Sequence, residues 1–206
     1  MAPRVKFTRE EFVKAGLSVA RKKGFSALTA QALAEELKIS TRPIFTCFGT
    51  MDELKAEVYA AAEAVYKDYE GVGLKHPIPF LGVGLQYIRF AKEESELYRL
   101  LFLTSGTEFG GAMTSMKYLQ NMIRESLMRI YKIDAKTADF YFRDLWLVVH
   151  GLATLIVTGD CPYSDDEIGQ ILTGFSVSIC KSIKEIPGFV DGTFDRDATF
   201  RSLIGE

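Results

Sequence analysis

The chain has 206 residues, of which 48% are hydrophobic and 12% aromatic, enough to bury a core and too many for a disordered segment. The formal net charge is only −2, but residues 1–55 hold ten Lys/Arg against six Asp/Glu and the remainder fifteen against twenty-one. A basic head on an acidic body suits a phosphate-binding head whose body stays clear of nucleic acid, with chance asymmetry as the plainer alternative.

Cys47, Cys161 and Cys180 are odd in number and widely spaced, so they make neither a disulfide framework nor a zinc pattern. A reducing cytoplasm is the simplest compartment. The first residues lack a signal-peptide pattern. The longest apolar run, Leu145–Thr158, contains His150 and is read as too short for a membrane span, suiting a buried helix instead.

Met1–Phe7 is a basic arm carrying Arg4 and Lys6. Thr8 with Glu11 three residues on is a capping box, and it predicts a helix with Phe12, Ala15 and Val19 on one face. Gly24 ends that helix after Arg21, Lys22 and Lys23, a placement the helix dipole favours. Thr29 caps the next helix, whose Leu33, Ala34 and Leu37 share a face. Lys38 and Ile39 make a tight turn, at a cost of roughly 1 kcal/mol if Lys38 takes a left-handed conformation. Ser40 is the expected N-cap of a second short helix, with Ile44, Phe45 and Phe48 as its inward anchors and Pro43 in its first turn. Thr41, Arg42 and Thr46 are left over, the short and cationic donors a recognition helix brings to a major groove.

A further capping box, Thr50 with Glu53, starts a long helix in which Leu54, Val58, Ala61, Val65 and Tyr69 recur at three- and four-residue steps. It is expected to end near Tyr69, because Gly71-Val72-Gly73, Pro77 and Pro79 follow. A boundary near residue 70 therefore separates two domains, 1–70 and 71–206. The second reads as helices throughout: Phe80–Glu94, Leu97–Leu103 capped by Ser95, Met113–Lys132, Ala135–Thr158 and Ile168–Ile186. Ser105–Gly111 is a glycine-containing loop, Ser164 with Glu167 forms another capping box, and the state of the tail 189–206 is open. The two last long helices carry apolar residues on more than one side, as helices do that are deeply buried or shared with a partner. Ile171 and Phe175 are expected to point outward.

The stretch Thr29 to Phe48 resembles the helix-turn-helix of the tetracycline-repressor (TetR) family of transcriptional regulators. Thr29, Leu33-Ala34, Ile39-Ser40, Phe45, Phe48 and Glu53-Leu54 carry the resemblance, which extends over about residues 7–66. It differs at Lys38, where a glycine is usual, at Phe45-Thr46, where an aromatic and a histidine are usual, and at Met51, where a phosphate-binding lysine is common. Trp146, His150 and Gly151 also resemble a signature of one subgroup of the C-terminal domains. The resemblance implies an all-α fold with an N-terminal helix-turn-helix domain and a C-terminal ligand-binding and dimerisation domain. It implies a cytoplasmic homodimer formed through the last two long helices, binding a double-stranded operator. A small-molecule effector would tilt the strut helix, Thr50–Tyr69, and change the distance between the heads. The implied DNA-contacting set is Thr29, Lys38, Ser40, Thr41, Arg42, Pro43, Phe45 and Thr46, with Arg42 on a guanine edge or a phosphate.

In the body an aromatic set that includes Tyr87, Phe109 and Phe140 is mostly core. A pocket for an apolar or aromatic ligand is assigned to Phe90, Tyr98, Phe102, Tyr118, Phe142, Trp146 and His150. His150 reads first as a hydrogen-bonded structural histidine and second as a pocket group. Glu93, Glu94, Glu96 and Glu108 are a solvated acidic face before they are a lure for a cation. Cys47 reads as a packing residue. No catalytic constellation, metal site or cofactor motif stands out, so no enzyme is expected. The alternative from another class is an all-helical carrier or protein-interaction module without DNA binding.

Overall fold

The computed structural model describes residues 7–104 and 111–205. The arm residues Arg4 and Lys6, and Glu108 and Phe109 of the loop, lie outside them. Among the described residues there are ten α-helices and no strand.

The head is built on caps. In α1 (Arg9–Lys23) the Thr8 hydroxyl accepts from the Glu11 N–H at 3.2 Å, and the Glu11 carboxylate accepts from the Thr8 N–H at 2.7 Å. A 3-10 turn (Phe25–Ala27) leads to α2 (Ala30–Leu37), where Thr29 accepts from the Ala32 N–H at 3.1 Å. Lys38 closes α2 in the left-handed conformation, φ 56 and ψ 45. That is the strained backbone the missing glycine implied. The turn then gives α3 (Arg42–Cys47), but Ser40 is not its cap. Thr41 stands there, without a side-chain hydrogen bond. Pro43 contributes: a cap oxygen seeks the second or third N–H of the helix, Pro43 removes one of them, and the Ile44 N–H is taken by the Thr41 carbonyl.

Thr50 caps α4 (Met51–Gly73), accepting from the Glu53 N–H at 3.2 Å. This helix does not stop near Tyr69. It runs on through Gly71 to Gly73, about 35 Å in all. The glycine that looks like a breaker is a contact. A Cβ added to Gly73 would stand 2.7 Å from the Cα of Val83, and one on Gly82 would overlap the Gly73 carbonyl. Thus α4 and α5 (Pro79–Glu93) cross backbone against backbone.

The short α6 (Ser95–Tyr98) continues as a π-helical turn, Arg99–Leu103; its cap is Glu94 rather than Ser95, again without a side-chain bond. Then come α7 (Ala112–Tyr131), α8 (Ala135–Thr158, capped by Asp134), α9 (Asp165–Glu185, opened by the Ser164–Glu167 box) and α10 (Arg196–Ile204) in the tail. α5 packs between α4 and α8, and α8 also meets α7 and α9. α8 has 24 residues, so its full helix is long and apolar enough to cross a membrane, longer than the apolar run alone suggested. In this fold it is the central helix of the body, burying Tyr141, Phe142, Leu145, Trp146 and Val149 among others. The head and body join through α4 and through α1, which packs on α6, with the Arg21 guanidinium clasping the Glu94 carboxylate at 2.7 and 2.8 Å.

Candidate functional site

Ile44 and Phe48 are fully buried and bolt α3 to the head, but Phe45 is not the inward anchor expected: 48% of it is exposed. A six-residue helix has room for one buried stripe, and Ile44 takes it. Thr29, Lys38, Ser40, Thr41, Arg42, Pro43, Phe45 and Thr46 are all exposed. Two of the threonines are already engaged. The Thr29 oxygen holds the α2 cap, and the Thr46 hydroxyl donates to the Arg42 carbonyl at 3.0 Å, so neither oxygen stands idle.

The sequence reading missed Arg9. Its guanidinium donates to the Cys47 carbonyl at 3.0 Å, to Glu53 at 2.6 Å and to Glu57, and lies 4.3 Å from the centre of the Phe48 ring. One side chain of α1 thereby satisfies the C-terminus of α3 and ties it to α4. Arg9 and the Gly49 N–H together hold the Glu53 carboxyl below its ordinary pKa. A cation in the first turn of a helix opposes the dipole, and that was the available signal that Arg9 is held by something else.

Ion pairing also redraws the charge of the head. Arg9, Arg21 and Lys22 are spent on Glu53 and Glu57, Glu94, and Glu36. Among the described residues Lys38 and Arg42 form no ion pair. The cations left for a partner therefore include the two on the helix-turn-helix itself.

In the body, the residues assigned to one pocket part company. Phe102 and Tyr118 line a cavity of about 250 Å³ between α4, the π-helical turn and α7, together with Tyr59, Tyr66, Glu70 and Ser115. Phe90 and Tyr98 are completely buried in the aromatic core instead. Phe142 and Trp146 border only a crevice of about 10 Å³. His150 Nδ1 meets the hydroxyls of Tyr87 at 2.9 Å and Tyr98 at 3.0 Å, and its ring stacks on Trp146 at 4.8 Å. Burial lowers its pKa, which favours the neutral ring. This is the structural arrangement weighed first. The acidic face is consumed as well: Glu93 pairs with Arg89, Glu94 with Arg21 and Glu96 with Arg99. The carboxylates that reach the cavity are Glu63 and the buried Glu70, which the sequence reading passed over. A second cavity of about 190 Å³ lies among α5, α8 and α9, where the Tyr141 hydroxyl and Ser176 Oγ are 2.7 Å apart.

Along α8 and α9 apolar side chains stand in solvent: Leu147, Leu155, Phe175 and Val177 are each at least a third exposed. Ile171, expected to point outward, is partly buried against the core, so Phe175 rather than Ile171 marks the open face.

Residues 80–173 match the model of the tetracyclin repressor-like C-terminal domain. Over these residues the body is similar to the C-terminal domain of tetracyclin repressor-like proteins. Among solved structures, a TetR variant from Acinetobacter baumannii AYE, crystallised in complex with minocycline, aligns with a TM-score of 0.54 at 18% identity, covering 87% of this chain and 98% of that one. Comparison with curated protein sequences gave no match. The stretch that resembles a TetR helix-turn-helix comprises α2, the Lys38 turn and α3, and α4 runs from it into the body.

Proposed function

We propose that the chain is a DNA-binding transcriptional regulator, a repressor released by a small molecule, which binds a near-palindromic operator as a dimer. The observation that carries this reading is the state of Arg42. It is exposed and free of ion pairs, on a short helix clamped from behind by Ile44, Phe48 and Arg9. Arg9, Arg21 and Lys22 of this head are paired with carboxylates, whereas Arg42, like Lys38, is held out. In the proposed complex α3 enters the major groove, and the half-sites lie one helical turn of DNA apart or a multiple of it.

The effector reading rests on α4. Its first turns pack Leu54 and Val58 into the head core, and Tyr59, Tyr66 and Glu70 further along line the cavity. A ligand that changes the cavity wall therefore tilts the helix that carries the head. The minocycline held by the Acinetobacter neighbour supports a small-molecule effector here too. A tenfold loss of DNA affinity needs ~1.4 kcal/mol of coupling, within the usual range. The ligand must bind the released arrangement better than the DNA-bound one.

Selection of bound sequences from random DNA should return an inverted repeat, with affinity falling steeply as salt rises. On that operator Arg42→Ala should cost roughly 1–3 kcal/mol and relax preference at one position per half-site, without loss of fold. Unchanged affinity and preference would remove Arg42 from the interface. A protein that selects no DNA would return the reading to a carrier or interaction module.

The open face of α8 and α9 supports a dimer through these helices. Phe175→Glu should convert a dimer into monomer or aggregate in sedimentation at micromolar concentration, because a carboxylate cannot be buried there unpaired. A wild-type monomer at that concentration would sink the dimer and the two-half-site operator together.

A further inference from the structure

The cavity between α4 and α7 is apolar in most of its wall but not at one end. Glu70 is only 6% exposed, and it is the one charged residue buried among those described. Among the described residues it belongs to no salt bridge; the charge that acts on it is Lys67 on the same helix, in the cavity lining. Burial raises its carboxyl pKa, with the Tyr66 hydroxyl and Lys67 acting in the opposite sense. Two further polar groups, the hydroxyls of Tyr66 and Ser115, stand beside it on the same wall, the Tyr66 hydroxyl facing both Glu70 and Ser115. Both oxygens are buried, and neither makes a hydrogen bond of good geometry. A carboxylate and two hydroxyls facing an aromatic void are an unfinished set: the carboxylate can only accept, and each hydroxyl can accept or donate. Core packing offers no reason to bury them so, since unpaired buried polar groups oppose folding.

What completes the set is a cationic donor. An ammonium carries several N–H groups, enough for the carboxylate and a neighbouring hydroxyl. Phe102, Tyr66 and Tyr118 line the same space, and aromatic faces attract a cation. The charged groups of the lining, Glu63, Glu70 and Lys67, leave an excess of one negative charge. A carboxylate-bearing ligand would meet that charge with its own. We propose that this cavity binds an organic cation, an aliphatic or aryl-alkyl ammonium of one or two rings, with its nitrogen on Glu70 and the hydroxyls of Tyr66 and Ser115 and its apolar body against Phe102 and Tyr118. This rests on the body being an effector domain, and it names the chemical class of the effector.

The test uses the full chain without DNA, titrated calorimetrically at pH 7.5 with a series of aryl-alkyl primary amines from benzylamine to naphthylethylamine. Each is paired with the alcohol and the carboxylate of the same skeleton. At least one amine should bind tenfold or more tightly than its alcohol, and its carboxylate should not bind. Glu70→Gln should remove the advantage of the amine while leaving the affinity of the alcohol within threefold, because the amide keeps the shape and loses the charge. Tyr66→Phe should weaken the amine less than Glu70→Gln does. Circular dichroism of both variants confirms that they are folded. Alcohols that bind as well as amines, an amine unaffected by Glu70→Gln, or no binding across the series would each overturn the proposal. A separate titration of the protein–operator complex keeps the two readings apart: an amine that binds the free chain and leaves DNA bound defeats the regulatory reading and not the cation site.

Discussion

Phe48→Ala should cost the head about 3–5 kcal/mol and take DNA binding with it. Phe48 is completely buried. Its ring meets Phe12 of α1 edge-on at 6.1 Å and carries the Arg9 guanidinium 4.3 Å above its centre. Ile44 and Leu54, both at zero exposure, share the same core. A six-residue helix cannot hold itself together, since isolated helices below about 12 residues are marginal in water. α3 exists because its last turn is pinned to α1 and α4, and Phe48 is the pin. The loss would be a large share of a typical domain's 5–15 kcal/mol. Urea unfolding followed by circular dichroism measures it, and an operator titration below the transition reads the functional consequence. The comparison with Arg42→Ala separates scaffold from contact: one should lose fold and binding together, the other binding alone. A loss under about 1 kcal/mol for Phe48→Ala would mean that the head repacks and that Phe48 does not position α3.

The second large effect is expected at the crossing of α4 and α5. Alanine is the better helix former by about 1 kcal/mol, so a glycine inside a helix normally improves on replacement. At Gly71 nothing lies within 4 Å of an added Cβ, and Gly71→Ala should stabilise by about 0.5–1 kcal/mol. Gly82→Ala should do the reverse. There the new Cβ would overlap the Gly73 carbonyl oxygen and the His76 Cβ, and stand 3.0 Å from the Gly73 carbonyl carbon. Most of these atoms are backbone, so no rotamer change relieves the clash and the two helices must separate. Overpacking of this kind costs about 1–3 kcal/mol, and rigid neighbours put it at the upper end, enough to outweigh the propensity gain. Because α4 carries the head, the variant should also lose operator affinity beyond what its stability loss explains. Thermal unfolding of both glycine variants, with operator titrations at a temperature where both are folded, makes the comparison. A Gly82→Ala variant as stable as the parent, with unchanged DNA affinity, would show that the crossing is not a constraint on the strut.

The sequence was most informative where the deciding interaction is local. A cap is a bond between residues three apart, and Thr8, Thr29, Thr50 and Ser164 each accept from the N–H their spacing implies. Helical periodicity is local as well, which is why α8 has the bounds read from the apolar pattern, Ala135–Thr158. Two expected caps failed, Ser40 and Ser95; at Ser40, Pro43 removes one of the two N–H groups that a cap oxygen could reach. The motif that resembles a TetR helix-turn-helix and the exposed state of its polar residues are local in the same sense.

What the tertiary structure decided is everything that depends on which faces meet. Periodicity makes an aromatic residue inward-facing without saying whether it meets a neighbour or a void: Phe90 and Tyr98 met the core, Phe102 and Tyr118 met the cavity. Composition counts Arg9 and Arg42 as equal charges, whereas a contact 48 residues away neutralises the first and no ion pair holds the second. Gly71 and Gly73 look alike as breaks in a chain, yet the helix continues through both, and only the approach of α5 gives Gly73 a purpose that Gly71 lacks. Glu70 looks like any surface glutamate on a long helix. It becomes the buried charge of the body only because α4 turns that residue toward a space walled by α7 and the π-helical turn. The sequence by itself determined most of the helices, most of their caps and the helix-turn-helix-like stretch, because bonds within one turn of helix set them. The fold decided the cavity, its carboxylate and the head's free cations, because those follow from distances between residues far apart in the chain.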